Sequence, residues 1–201
     1  MTTEIKMTDI RQTCDVALKE WAVTCRALEE GRQIVLLRKG GILDEDGVFQ
    51  LEHTAFWLQP TYEHQDERLV KPDQRDLFTA VREMRTAGEN KKFIALRLFA
   101  VVEKVFSLTL DDEDRLRSAP HIWSDAYLDI RYDYKPQHPL LCVAMRVYAR
   151  EEPHVIPARP EYFGCRSWIS LETPLDNADA HPVLDDATFA ERLQELERAL
   201  L

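Results

Sequence analysis

Four short stretches carry residue types able to do chemistry, and each stands where an apolar run breaks off. They are Arg38-Lys39-Gly40-Gly41, Glu52-His53, Tyr62-Glu63-His64 and Gly164-Cys165-Arg166-Ser167-Trp168. In the first, two cations precede two glycines. Glycine lets a backbone approach a phosphate closely, and the cations would neutralise it. The spacing of a Walker phosphate loop is absent, so the same residues also describe an ordinary charged strand end. His53 and His64 lie eleven residues apart on either side of one apolar run. Either imidazole could act as general acid or base. With Glu52 or Glu63 the pair could also hold a divalent metal such as magnesium or manganese, although no HExxH or HxH spacing supports that and no cofactor is certain. Cys165 beside Arg166 could be an activated thiolate or an inert, partly buried thiol; Arg166 itself suits an anion clamp.

These residues need elements to position them. Met7, Ile10, Cys14, Leu18 and Trp21 follow one helical face, which predicts a helix over 5–20. Alternation over 21–28, a turn at Glu29-Glu30-Gly31-Arg32 and an aliphatic run over 32–39 predict a hairpin whose second strand ends at Arg38-Lys39. Residues 48–51 and 55–59 read as strands, the latter closed by Pro60, which leaves Tyr62, Glu63 and His64 on its exit. A helix is expected over 73–87, capped by Asp73 and stopped by Gly88. Residues 92–109 alternate as one long strand. The acid-first run at 111–117 and the Ser124-Asp125 pair each predict a helix start. Residues 140–150 and 167–171 read as strands, and Asp185 caps a last helix over 185–200 with Phe189, Leu193, Leu196 and Leu200 on one face. Strands with irregularly interspersed helices predict an α+β fold: one domain over 1–201, with a mixed or mainly antiparallel sheet flanked by helices.

The bulk composition fits that reading. The chain of 201 residues is 45% hydrophobic and 31% charged, as a globular domain is. It opens without an apolar leader, its longest apolar run is broken by Arg97, and its four cysteines are scattered. Those features predict a cytoplasmic protein with free thiols and no membrane partner. The net charge of −10 argues against nucleic acid at first sight, but residues 172–201 alone hold eight acids and two bases. The remainder is nearly balanced, so a local basic groove is allowed, and local potential is what recruits an anion.

Two motif matches fail on inspection. Arg82 and Glu83 match the Arg-Glu pair of a Nudix box, but Thr86 and Ala87 stand where its metal-binding glutamates belong. Pro72-Asp73 with Glu89-Asn90-Lys91 imitates the signature of restriction-like nucleases, yet a whole helix intervenes and Asp73 is already read as a cap.

The stretches at 17–42, 56–65, 121–136 and 138–171 together resemble the bacterial and archaeal family known as domain of unknown function 1802. The resemblance implies a small cytosolic protein and carries over no activity. Chemistry must therefore be argued from residue types. The expectation is a protein directed at the phosphate of a nucleotide or nucleic acid, with phosphoester hydrolysis, nuclease-like, as its chemistry if it is an enzyme. His53, Glu63 and His64 are the expected catalytic groups, and Arg38, Lys39, Tyr62 and Arg166 the ligand-binding ones. The alternative is a non-catalytic adaptor or assembly protein that meets a protein partner, or a second copy, through aromatic surface and its acidic last helix.

Overall fold

The computed structural model describes residues 13–39, 49–87, 92–164 and 166–201. Within them the fold is α+β. Seven strands form one mixed sheet: β1 (Thr13–Trp21), β2 (Val35–Arg38), β3 (Ala55–Thr61), β4 (Phe93–Leu108), β5 (Leu140–Pro157), β6 (Trp168–Asp176) and β7 (Ala180–Pro182). The described helices are α1 (Ala22–Glu29), α2 (Asp76–Ala87), α3 (Glu113–Ser118), α4 (Asp125–Asp133) and α5 (Asp186–Leu200). The spatial order is β2-β5-β4-β3-β1-β6, with β7 added to β5. The β1–β3 pair is parallel and the other ladders are antiparallel.

The sheet curls strongly. Strands β5, β4 and β3 separate β2 from β1. In a flat sheet that is four spacings, about 19 Å, far beyond the reach of one side chain. Yet Arg38 of β2 touches Glu20 of β1 at 3.1 Å. Irregularities in register between Leu96 and Leu98, between Val102 and Lys104, and between Cys14 and Val16 supply bends of the kind β-bulges give. The concave side is filled by Leu18, Leu36, Phe56, Leu58, Leu98, Val143 and Met145, with Cys25 and Leu28 of α1 inserted among them. Helices α2, α3, α4 and α5 cover a second cluster, and a third lies around Trp57, Phe99 and Tyr162.

Several expectations are corrected. Residues 13–20, expected in a helix over 5–20, are strand β1; residues 5–12 lie outside the described residues. Ala17, Leu18, Lys19 and Glu20 are buried in succession because the strand packs on both faces, Leu18 in one core cluster and Ala17 in another, and such a run loses its two-residue alternation. The first strand of the predicted hairpin is helix α1, whose Ala22, Val23, Thr24, Cys25, Ala27 and Leu28 are all buried, which hides a helical stripe just as well. The expected turn survives as that helix's end. Gly31 donates to Leu28 O at 3.1 Å and Arg32 to Ala27 O at 2.9 Å, a Schellman pair, with Gly31 at φ 65.

Residues 49–51 form no strand. Pro60 does not end β3, which runs on to Thr61 because Pro60 lies beyond the last β4 pair, Leu58 with Leu98. Helix α2 starts at Asp76, not Asp73. Pro72–Gln74 form a short 3-10 turn in which the Asp73 carboxylate accepts from the Gln74 side chain. The expected stop at Gly88 lies outside the described residues. Strand β5 continues seven residues past 150, and β7 carried no sequence signal strong enough to find it. The expected strands at 92–109 and 140–150 and the helix capped by Asp185 are present, the Asp185 carboxylate accepting from Thr188 N at 2.8 Å.

Candidate functional site

The parallel pair β1–β3 ends at Trp21 and Thr61, and the charged side chains gather at that carboxyl end. In open sheets the carboxyl ends of parallel strands are where ligands settle, since the chain there leaves the ladder and exposes loops and helix starts. Here α1 starts immediately after Trp21, with no side-chain cap from the N-cap residue itself. Its orphan donors are served from elsewhere. Gln65, on the exit of β3, accepts from Val23 N at 2.9 Å, and Glu20 Oε1 accepts from Trp21 N at 2.7 Å. Thr24 donates to the same carboxylate at 3.4 Å, and Thr61 donates to the Glu20 carbonyl at 3.1 Å.

Arg38 closes this end of the curl. Its guanidinium donates to Glu20 Oε2 at 3.1 Å, to the Lys19 carbonyl at 3.3 Å and to Ser167 Oγ at 2.8 Å, and lies 4.8 Å above the Phe49 ring. Lys39 is buried, its amine donating to the Tyr132 carbonyl at 3.1 Å near the end of α4. Burial first, then the neighbouring Arg131, lowers the Lys39 pKa.

Beside them stands a stacked ladder. The rings of Trp123 and Tyr127 lie 3.8 Å apart and nearly parallel, and Arg131 sits 5.0 Å over the other ring's centre while its Nε donates to Tyr127 Oη at 3.0 Å. Trp21 meets both rings edge-on, at 5.6 and 5.9 Å. Burial raises the Tyr127 phenol, and its field with that of Glu20 keeps Arg131 charged.

The residues expected from sequence distribute unevenly. Arg38 and Lys39 belong to this pole. Tyr62 does too: half-buried, it packs with Trp21 on the helix-covered cluster, and burial followed by Cys25 raises its phenol. Glu63 and His64 are exposed on the same exit loop, His64 at φ 60. His53 precedes β3 and so belongs to the strand's opposite end, about 20 Å away along seven residues. It packs edge-on against Trp168 at 5.1 Å. Trp168 in turn stacks on Phe49 at 5.8 Å, the ring over which Arg38 lies, and Trp168 follows Ser167, whose hydroxyl receives Arg38. The structure therefore brings Arg38, Lys39, Tyr62, Glu63 and His64 to one end and leaves His53 at the other. Arg166 is exposed next to Ser167, whose hydroxyl receives Arg38. Cys165 lies outside the described residues. Among those described, no three His, Cys, Asp or Glu side chains converge as metal ligands.

Sequence reasoning missed Glu20, Trp21, Gln65, Tyr127 and Arg131. Glu20 and Trp21 were hidden in the misread helix. A signal for the ladder did exist, since Tyr127 and Arg131 stand at the four-residue spacing that shares one helix face, and Trp123 lies four residues before Tyr127.

Fold and site define an α+β protein with a curled mixed sheet and a charged, aromatic-lined pole at the end of its parallel pair. Residues 17–195 match the family described as "Domain of unknown function (DUF1802)", and the chain belongs to that family. No curated protein matches it. Among solved structures, the crystal structure of a ZmASCH mutant protein from Zymomonas mobilis is similar at 12% identity, covering 90% of this chain and 94% of that chain with a TM-score of 0.44. No described helix is long and apolar enough to cross a membrane.

Proposed function

We propose that the chain binds a phosphate-bearing ligand, a nucleotide or a nucleic acid, at the pole formed by β1, β3, the end of β2 and α4. One observation carries the reading. Arg38 pairs with Glu20, Arg131 lies in the field of the same carboxylate and beside Lys39, and Arg131 forms no ion pair among the described residues. Arg131 is thus a guanidinium whose donors no carboxylate of the described residues takes up, a group that can draw in an anion. Arg131 is suited to meet it, because a guanidinium tethered through Nε to Tyr127 Oη keeps the rest of its fork of donors for a phosphate. If a bound phosphoester is cleaved, His64 is the general acid or base and Glu63 its charged neighbour, both on the exit loop of β3, with magnesium or manganese as an added requirement.

The test titrates the whole chain with inorganic pyrophosphate, ATP and a short single-stranded oligonucleotide, followed by amide chemical shifts. Perturbations centred on Trp21, Arg38 and Arg131, and at least tenfold weaker binding by Arg131→Gln with an unchanged melting temperature, are expected. Absence of binding by all three probes at millimolar concentration, or equal binding by the variant, would overturn the reading. A hydrolysis screen with and without the two metals, run beside His64→Ala, decides the enzymatic part.

A further inference from the structure

The stacked rings inside the pole cannot receive a nucleobase. Trp123 and Tyr127 are 1% and 4% exposed and already lie on each other. A base needs a ring that stands in water, and two elements that meet at this pole each carry one. Tyr134 closes α4 and is 36% exposed; Phe163 leads into the turn before β6 and is 52% exposed. Each ring stands three residues from an arginine, Tyr134 from Arg131 and Phe163 from Arg166. On α4 that spacing puts ring and guanidinium on neighbouring positions of one helix face, and Tyr134 adds to the field at Arg131. Arg166 is exposed, and like Arg131 it pairs with no carboxylate among the described residues.

The turn that carries Phe163 and Arg166 is pinned to the pole. Lys19 of β1 donates from its backbone to the Ser167 carbonyl at 2.9 Å and from its amine to the Gly164 carbonyl at 3.0 Å. Arg38 donates to Ser167 Oγ at 2.8 Å and to Glu20 Oε2 at 3.1 Å, and Glu20 acts in turn on Arg131. A short run of contacts from Arg131 through Glu20 and Arg38 to Ser167 therefore links the two pairs of ring and arginine.

We propose, resting on the phosphate reading above, that the pole binds an unpaired stretch of nucleic acid. Arg131 and Arg166 each hold a phosphate, and Tyr134 and Phe163 each receive a base. A free nucleotide carries one base and occupies one pair; two pairs match a strand. In a duplex the base faces are taken up by their neighbours and withheld from the protein. Exposed rings beside guanidinium groups hold a single strand with little regard to its sequence, because every base has a flat face. That chemistry is common to single-stranded DNA and RNA.

Fluorescence anisotropy of the whole chain with labelled single-stranded hexanucleotides, one of DNA and one of RNA, tests it. At least tenfold tighter binding of a hexanucleotide than of a dinucleotide or a blunt hairpin duplex is expected. Binding of either hexanucleotide supports the assignment, and the tighter one names the source. Tyr134→Leu and Phe163→Leu should each weaken the hexanucleotide at least fivefold, with pyrophosphate affinity unchanged and the fold kept in circular dichroism melting. Arg166→Gln should lower the slope of log affinity against log salt by about 0.7. With pyrophosphate still bound, three results would each overturn the single-strand assignment and leave the phosphate reading standing. They are a hexanucleotide no tighter than the dinucleotide or the hairpin, indifference to both ring variants, or ring variants that weaken a baseless polyphosphate as much as the hexanucleotide. Failure of pyrophosphate and hexanucleotide alike would overturn both.

Discussion

Arg38 of β2 and Glu20 of β1 meet at 3.1 Å across the open side of the sheet, although three strands lie between theirs in the ladder. The pair is largely buried, with 14% and 9% of the two side chains exposed. It takes the place of the backbone ladder that a fully closed barrel would have there. Removing one partner strands the other charge in a poorly solvated place. Arg38→Leu is therefore expected to cost about 3 kcal/mol in urea unfolding. Arg38→Lys should recover little of it, because an ammonium cannot reproduce the planar fork that serves Glu20, Lys19 and Ser167 together. A loss below about 0.5 kcal/mol for Arg38→Leu would show that the curl is held by the core alone.

Stability should fall between pH 6.5 and pH 4 because of His121. This buried imidazole accepts from Trp123 N at 3.1 Å through Nδ1, which leaves Nε2 to donate to the Leu116 carbonyl at 2.7 Å. Burial first, then Lys71, lowers its pKa from 6.5 to about 4. The unfolded chain thus takes up the proton first as pH falls. The neutral ring's contribution is complete above pH 6.5, drains away as pH falls towards 4, and amounts to about 3 kcal/mol. Urea midpoints measured across that window should show the slope, and His121→Gln should flatten it.

Gln65 ties the exit of β3 to the start of α1 by accepting from Val23 N. Gln65→Ala removes a helix cap supplied from forty-two residues away and should cost about 1 kcal/mol. Faster hydrogen exchange at the Val23 amide, with little change at α5, is the local signature.

Tyr127→Phe keeps the ring stacked on Trp123 but takes away the oxygen that holds Arg131 Nε. Stability should change by only about 1 kcal/mol. Pyrophosphate binding should weaken severalfold, because the guanidinium loses its fixed orientation. Unchanged affinity would mean that Arg131 is placed by its own helix.

Gly31 closes α1 at φ 65, and a Cβ there would stand 2.6 Å from Leu184 Cδ2. Gly31→Ala should cost about 2 kcal/mol from the left-handed backbone and the displaced leucine together, read as a lower melting temperature.

The long strands β4 and β5 and helix α5 were legible because their signals are local. Alternation from Ile94 to Val102, the apolar run at 140–150 and the Asp185 cap each depend on neighbours within a few residues. Strand β1 and helix α1 were not, since Ala17–Glu20 and most of α1 are buried. Burial of Lys19 and Glu20 beside Ala17 and Leu18 erases the polar face from which a period is read.

The same division runs through the candidate site. Sequence by itself determined the family, the α+β class and the placing of Arg38 and Lys39 at a strand end, because composition, cap residues and apolar runs are properties of short segments. Only the tertiary structure decided that Arg38 reaches Glu20, that Lys39 reaches a carbonyl ninety-three residues on, and that His64 and His53 part to opposite ends of β3. Those meetings depend on how far a twisted sheet curls. Curl is the summed result of bulges and packing across every strand, and no single stretch of the chain encodes it.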